Sequence, residues 1–104
     1  MDYKELKETK FYGNLAKQMK VAYAILFKDP ESDGLEISEI EALMQGELSG
    51  EEVSIALDML SDKSEIESGY EKRGRRHVQV YKLNSSFAWA TKEIAELLGH
   101  DNQQ

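Results

Sequence analysis

The chain has 104 residues, contains no cysteine and carries a formal net charge of -7. This length fits one domain with one small core, and the lack of cysteine excludes disulfides, thiolate zinc sites and a cysteine nucleophile. No run of about 18 apolar residues is present and residues 1–10 are rich in charge, so we expect no membrane span, no signal peptide and a cytoplasmic location.

Charge is segregated along the chain. Residues 31–69 carry twelve carboxylates against Lys63 alone, whereas residues 70–84 carry five Lys or Arg against Glu71 alone. An acidic middle followed at once by a compact basic segment predicts two differently charged faces.

The first part of the chain predicts helices separated by turns. Residues 1–12 form an N-terminal extension, in which apolar spacing predicts a short helix ending near Gly13. A longer helix is expected from an N-cap at Asn14 to the dipeptide Asp29-Pro30, because apolar residues recur there in steps of three and four. After a turn, residues 35–37 are predicted as a short extended segment.

Two capping boxes predict the next two helices. Ser38 with Glu41 opens a helix of two turns that ends near Gly46, and Ser49 with Glu52 opens a third helix. The inner face of the third helix is formed by four regularly spaced apolar residues, Val53, Ala56, Leu57 and Leu60. The short link between the two helices predicts a compact pair.

Beyond residue 64 the hydrophobic pattern changes to that of strands. A charged turn over Glu71–Arg75 precedes the β-branched and aromatic run Val78–Leu83, which predicts a two-stranded hairpin. Because side chains alternate between the two faces of a strand, the inner face carries either Val78 and Val80 or Tyr81 and Leu83. We favour Tyr81 and Leu83.

A final helix is predicted over residues 85–99, with Ser85 or Ser86 as its cap and Gly99 as its end. One side of it carries Phe87, Ala90 or Thr91, Ile94, Leu97 and Leu98, which predicts a buried stripe. Trp89 is expected to serve packing or a dimer interface, and residues 100–104 are expected to form a frayed tail.

The order of these elements is that of a winged helix-turn-helix. The segment Leu48–Leu60 resembles the turn and recognition helix of MarR-like and ArsR-like regulators, in which a Leu-Ser turn precedes a helix with Val, Ser, Ala-Leu and Leu at these places. Arg73–Arg76 followed by Val80–Leu83 resembles their wing, a basic Gly turn leading into a strand that ends in Tyr-x-Leu. The resemblance covers residues 14–84.

This resemblance implies a mainly α fold with a small β-hairpin (α+β), namely a three-helix core with a wing and flanking terminal helices. It also implies a transcriptional regulator that binds double-stranded DNA, and a homodimer formed through the N- and C-terminal helices. In these families the wing tip reaches phosphates or the minor groove and the recognition helix enters the major groove. The positions of this chain that correspond are Lys72, Arg73, Arg75, Arg76 and His77 in the wing, with Ser49 and Ser54 in the helix. A plain solvated loop is the alternative for the wing.

The outward positions of the predicted recognition helix depart from the pattern of those families. They include Glu51, Glu52 and Asp58, and none is basic, so phosphates would repel this face. Ile55 and Met59 lie four residues apart opposite the inner face. They form either an exposed apolar pair ringed by carboxylates or a surface that the N-terminal segment covers. The alternative function is therefore a winged-helix protein-protein interaction module that uses this face.

Residues 29–40 offer a minor alternative, a degenerate EF-hand-like calcium site. Asp29, Glu31, Asp33 and Gly34 match the start of such a loop, but Ile40 stands where calcium needs a glutamate. An acidic turn is the simpler interpretation. We predict no metal site and no cofactor, and no nucleophile, base and orienting acid can be assembled, so an enzyme is not expected.

Overall fold

Nine short elements follow one another along residues 2–99, the part of the chain that the computed structural model describes. They form the expected α+β fold of helices around one antiparallel hairpin. In chain order they are α1 (Tyr3–Lys7), α2 (Lys10–Gly13), α3 (Lys17–Lys28), α4 (Ile37–Leu43), α5 (Gly50–Asp62), β1 (Ile66–Arg73), β2 (Arg76–Leu83), α6 (Ser85–Ile94) and a closing π-helical turn (Ala95–Gly99). Within these residues no helix is both long and apolar enough to cross a membrane. The predicted tail, residues 100–104, lies outside the described residues.

The predicted capping box of α5 is confirmed, whereas that of α4 lies elsewhere. Ser49 accepts a hydrogen bond from the Glu52 amide at 3.1 Å, and the Glu52 carboxylate accepts one from the Ser49 amide at 3.0 Å. In α4 the box is formed by Glu36 and Glu39, while Ser38 lies inside the helix. Leu35 is held extended by its bridge to the hairpin, and the next residue, Glu36, is the N-cap of the helix.

Three other helix starts also differ from prediction. The N-terminal segment forms two helices instead of one, because the Thr9 hydroxyl caps α2. Asn14 closes α2 instead of opening α3, whose N-cap is Ala16. The C-terminal helix α6 is capped by neither Ser85 nor Ser86, since the Asn84 carboxamide accepts the amide hydrogen bonds at its start.

The main core lies where α3, α4, α5 and the base of the hairpin meet. All four predicted inner residues of α5 belong to it, which confirms the helical period derived from the sequence. The buried members of this core are Val21, Ala22, Ala24, Ile25, Leu35, Ile40, Met44, Val53, Ala56, Leu57, Leu60, Ile66 and Leu83.

A second, smaller core joins the N-terminal helices to α3 and the end of the chain. Leu6, Tyr12, Tyr23 and Ala95 are its buried residues. Because the apolar side chains of α1 and α2 pack in this second core, these helices do not cover the outer side of α5. The open alternatives for Ile55 and Met59 are thereby decided in favour of exposure.

The hairpin is paired over its full length, from Ile66 opposite Leu83 to Arg73 opposite Arg76. The turn is thus only two residues long, shorter than predicted. Its first residue, Gly74, has φ +63°, which a type II′ turn assigns to glycine at this position. The favoured face is confirmed, since Leu83 is buried and Tyr81 packs against the main core.

The opposite face of the hairpin is also partly covered, which the sequence did not predict. Val80 is buried there, with Gly34 lying directly against its side chain. The Leu35 amide and carbonyl each form a hydrogen bond with Tyr81, at 3.0 and 2.8 Å. Through this isolated β-bridge the segment before α4 is joined to the hairpin near its base.

The predicted inner side of the C-terminal helix is right at Phe87 and Thr91 and wrong at Ile94, Leu97 and Leu98. Thr91 and Ala95 face inward, while Ile94, Leu97 and Leu98 are exposed together with Trp89. The Tyr23 hydroxyl of α3 donates a hydrogen bond to the Thr91 carbonyl at 2.9 Å, and Ala95 packs with Tyr23 in the second core. The large apolar side chains are left on the outer surface.

Candidate nucleic-acid interface

Strand alternation divides the predicted basic cluster of the hairpin between two faces. Lys72 and His77 are directly opposite each other on one face, and Arg73 and Arg76 are opposite each other on the other. Arg75 lies in the turn. The five predicted side chains are therefore not one continuous patch.

Arg73 is held by acceptors within the domain. Its Nε donates to the Glu71 carboxylate at 2.8 Å, and its Nη1 donates to Glu39 at 3.0 Å and to Glu36 at 3.4 Å. Its Nη2 donates to the Gly34 carbonyl at 2.6 Å. The hydrogen bonds, led by that to Glu71, raise the pKa of Arg73 above its ordinary value. Half-buried and saturated in this way, Arg73 fixes the hairpin to the start of α4 rather than facing a ligand.

The other four predicted wing residues are open to solvent. Lys72, Arg75 and His77 are exposed and form no ion pair with the described residues, and Arg76 has one distant carboxylate, Glu36 at 3.7 Å. Their position at the far end of a two-stranded arm lets them approach a flat or curved anionic surface. The structure thus brings together four of the five predicted wing residues at one tip.

Tyr70 is a candidate contact that sequence reasoning missed. Its side chain is 79% exposed and lies on the same hairpin face as Lys72 and His77, with Gln79 directly opposite. An aromatic ring and an amide beside cations are side chains that contact bases and sugars as well as phosphates. The sequence could have indicated this, because Tyr70 and Lys72 are two residues apart in a strand and therefore lie on the same face.

The exposed face of α5 borders this side of the hairpin and has the opposite charge. The helix contacts β1 directly. Burial raises the pKa of Tyr81, and the charge of Asp58 on the helix adds to this effect. Glu51 and Ser54 are exposed on the same helix, and Ser49 caps it. The predicted helix residues are therefore accessible, but they present acceptors and carboxylates instead of cations.

Glu52 differs from its neighbours because it is paired. The Lys17 ammonium donates a hydrogen bond to its carboxylate, and this contact is the main reason that the pKa of Glu52 falls to about 2. The pair links the start of α3 to the first turn of α5. Glu52 contributes to the fold at this position, which leaves Glu51, Asp58 and Asp62 as the charged groups of the outer face.

The loop proposed for calcium is organised by hydrogen bonds. The two carboxylate oxygens of Asp29 accept the amide hydrogens of Asp33 and Gly34, each at 2.8 Å. Among residues 2–99 no three His, Asp or Glu side chains come close enough together to hold a metal ion. The calcium hypothesis gains no support from this arrangement.

Comparison of the chain with protein-family models, with curated proteins and with solved structures finds no match. Its function is therefore inferred from the side chains that the hairpin and α5 present.

Proposed function

We propose that this chain is a winged-helix domain that binds double-stranded DNA as a transcriptional regulator, with the β1–β2 hairpin as its wing. The observation that carries the proposal is the exposed basic tip, Lys72, Arg75, Arg76 and His77, on an arm of an otherwise acidic protein. Cations gathered at one projecting end can neutralise neighbouring phosphates, and counterion release then drives binding.

The arrangement of the elements supports a winged helix. A capped pair of helices, α4 and α5, is followed directly by the hairpin, and the extended residue Leu35 pairs with Tyr81 in an isolated β-bridge. In a winged helix this geometry places the second helix of the pair beside the wing on one side of the domain. The contact between α5 and β1 agrees with that placement.

The charges of α5 favour binding through the wing over base reading by the helix. Glu51 and Asp58 would face a groove lined with phosphates, and no Lys or Arg on α5 offsets them. We therefore expect few base contacts, weak sequence preference and affinity that falls steeply with salt. Each Lys or Arg that engages a phosphate steepens the slope of log affinity against log salt by about 0.9.

Fluorescence anisotropy with a labelled random-sequence duplex at low salt tests this proposal. The triple variant Lys72→Gln, Arg75→Gln, Arg76→Gln should lose binding. A matched variant that removes three exposed lysines elsewhere, Lys4→Gln, Lys10→Gln, Lys28→Gln, should retain most of it, although both variants have the same net charge. Equal losses in the two variants would refute a role for the wing, as would undiminished binding by the first.

We also propose a homodimer that uses the outer side of the C-terminal helix. Trp89 is 69% exposed and Leu97 is 66% exposed, and Ile94 lies between them along the helix. Large apolar side chains left in water on one element mark an interaction surface. The N-terminal helices bury most of their apolar residues in the chain's own second core, so the larger share of such an interface falls to the C-terminal helix.

A further inference from the structure

A shallow groove of about 260 Å³ separates the start of α3 from the outer side of α5. Its floor is apolar, formed by Ile55, Ala56 and Met59, and Gln18 and the Lys17–Glu52 pair border it. Ile55 is 52% exposed and Met59 is 41% exposed, which is unusual for two large apolar side chains one helical turn apart on a small domain. Both point away from the buried side of α5, so they do not hold the main core together.

Beyond the Lys17–Glu52 pair that borders the groove, the exposed charges of α5 are all negative. Glu51, Asp58 and Asp62 follow the same outer side of α5 and form no ion pair with any described residue, and α5 contains no Lys or Arg. Lys17, the cation that lines the groove, is paired with Glu52. An apolar strip flanked by unpaired carboxylates is thus the chemistry that this side of the domain offers.

We propose that the groove docks a basic amphipathic helix of a partner protein. Apolar residues of that helix, spaced by four, would cover Ile55 and Met59, and Lys or Arg on its flanks would meet Glu51, Asp58 and Asp62. A helix fits better than an extended peptide, because the groove runs between two helices and offers no free strand edge for backbone hydrogen bonds. Bare DNA or an acidic helix is repelled by the same carboxylates. This surface is distinct from the basic tip of the hairpin, and the inference goes beyond DNA binding.

Two designed peptides of about 15 residues, long enough to form a few helical turns, test the proposal. Both carry leucines spaced by four and differ only in their flanking residues, which are lysines in one and glutamates in the other. Calorimetry should detect binding of the lysine peptide alone. Amide chemical shifts should change along α5 and at the start of α3.

Substitutions separate docking in the groove from simple attraction to an acidic protein. The variant Ile55→Ser, Met59→Ser retains every charge and should bind the lysine peptide at least about tenfold more weakly. Its control, Trp89→Ser, Leu97→Ser, removes two other exposed apolar side chains and should bind like the parent. Circular dichroism checks that both variants are folded, which their exposure favours.

Three results would overturn the proposal. They are failure of the lysine peptide to bind, undiminished binding by the Ile55→Ser, Met59→Ser variant, and equal binding of the glutamate peptide. Self-association of the parent that the same two substitutions abolish would assign the groove to a second copy instead. The triple wing variant keeps this groove intact and should bind the lysine peptide normally, so the DNA proposal and this one can fail separately.

Discussion

Replacing Gly34 with alanine should loosen the attachment of the hairpin to the rest of the domain. Gly34 has φ +100°, and a Cβ atom added there would lie 2.9 Å from Val80 Cγ2 and 3.0 Å from Val80 Cβ. The same residue offers its carbonyl to Arg73 at 2.6 Å. Any shift that relieves the overlap must therefore disturb the hydrogen bond that fixes the hairpin.

The cost follows from two independent effects. A left-handed conformation costs an alanine roughly 1–2 kcal/mol, and overpacking against Val80 adds about 1–3 kcal/mol. The reduced entropy of the unfolded chain offsets about 0.4–1 kcal/mol. We expect Gly34→Ala to lower the free energy of unfolding by about 2–4 kcal/mol, which for a domain of this size lowers Tm by roughly 8–20 °C.

Urea unfolding followed by circular dichroism measures this loss, and two other glycines supply the controls. Gly74 has φ +63°, and no heavy atom of the described residues lies within 4 Å of a Cβ added there. Gly74→Ala therefore meets only the cost of the left-handed conformation, and it should lower the free energy of unfolding by about 1 kcal/mol. Gly69→Ala meets neither cost and should be nearly neutral. If Gly34→Ala is no worse than Gly74→Ala, the close packing of Gly34 on Val80 is refuted.

Three further predictions concern other contacts. Lys17→Gln should raise the pKa of Glu52 from about 2 toward 4.5 in an NMR titration, and an unmoved pKa would exclude the pair. Because folding lowers this pKa, the pair stabilises the fold above pH 4.5. The difference in stability between the parent and the variant should therefore vanish as the pH falls toward 2. Tyr12→Phe removes the 2.9 Å hydrogen bond to Glu47 and should cost about 1 kcal/mol in urea unfolding, and an unchanged midpoint would count against that bond. Leu97→Glu should convert a dimer into a monomer in sedimentation; a dimer that persists would place the interface elsewhere.

The features that could be predicted from the sequence are local ones. The box formed by Ser49 and Glu52 and the spacing of the apolar residues after it define α5 within one stretch of chain, and the structure agrees with both its start and its inner face. The hairpin could also be predicted, because its two strands and its turn lie within one stretch of chain. Its inner residue Leu83 needed only strand alternation and the choice of face.

The features that could not be predicted depend on contacts between distant segments. The role of Arg73 is set by Glu36 and Glu39, which reach it only after the hairpin has packed on the start of α4. The inward side of the C-terminal helix is set by contacts with α3 and the N-terminal helices, where Thr91 and Ala95 are buried in place of larger side chains. Hydrophobicity along the sequence favours large residues and therefore wrongly placed Ile94, Leu97 and Leu98 on the inner side.

The salt dependence of DNA binding by Arg75→Gln tests the wing proposal most directly, because Arg75 lies at the turn and has no partner among the described residues that its loss would disturb. If the wing holds the phosphate backbone, the slope of log affinity against log salt should decrease by about 0.9 relative to the parent, and by a similar amount for duplexes of different sequence. The control Lys28→Gln, which removes an exposed charge outside the hairpin, should leave the slope unchanged. Equal slopes for Arg75→Gln and the parent would contradict the proposal that the hairpin tip contacts DNA.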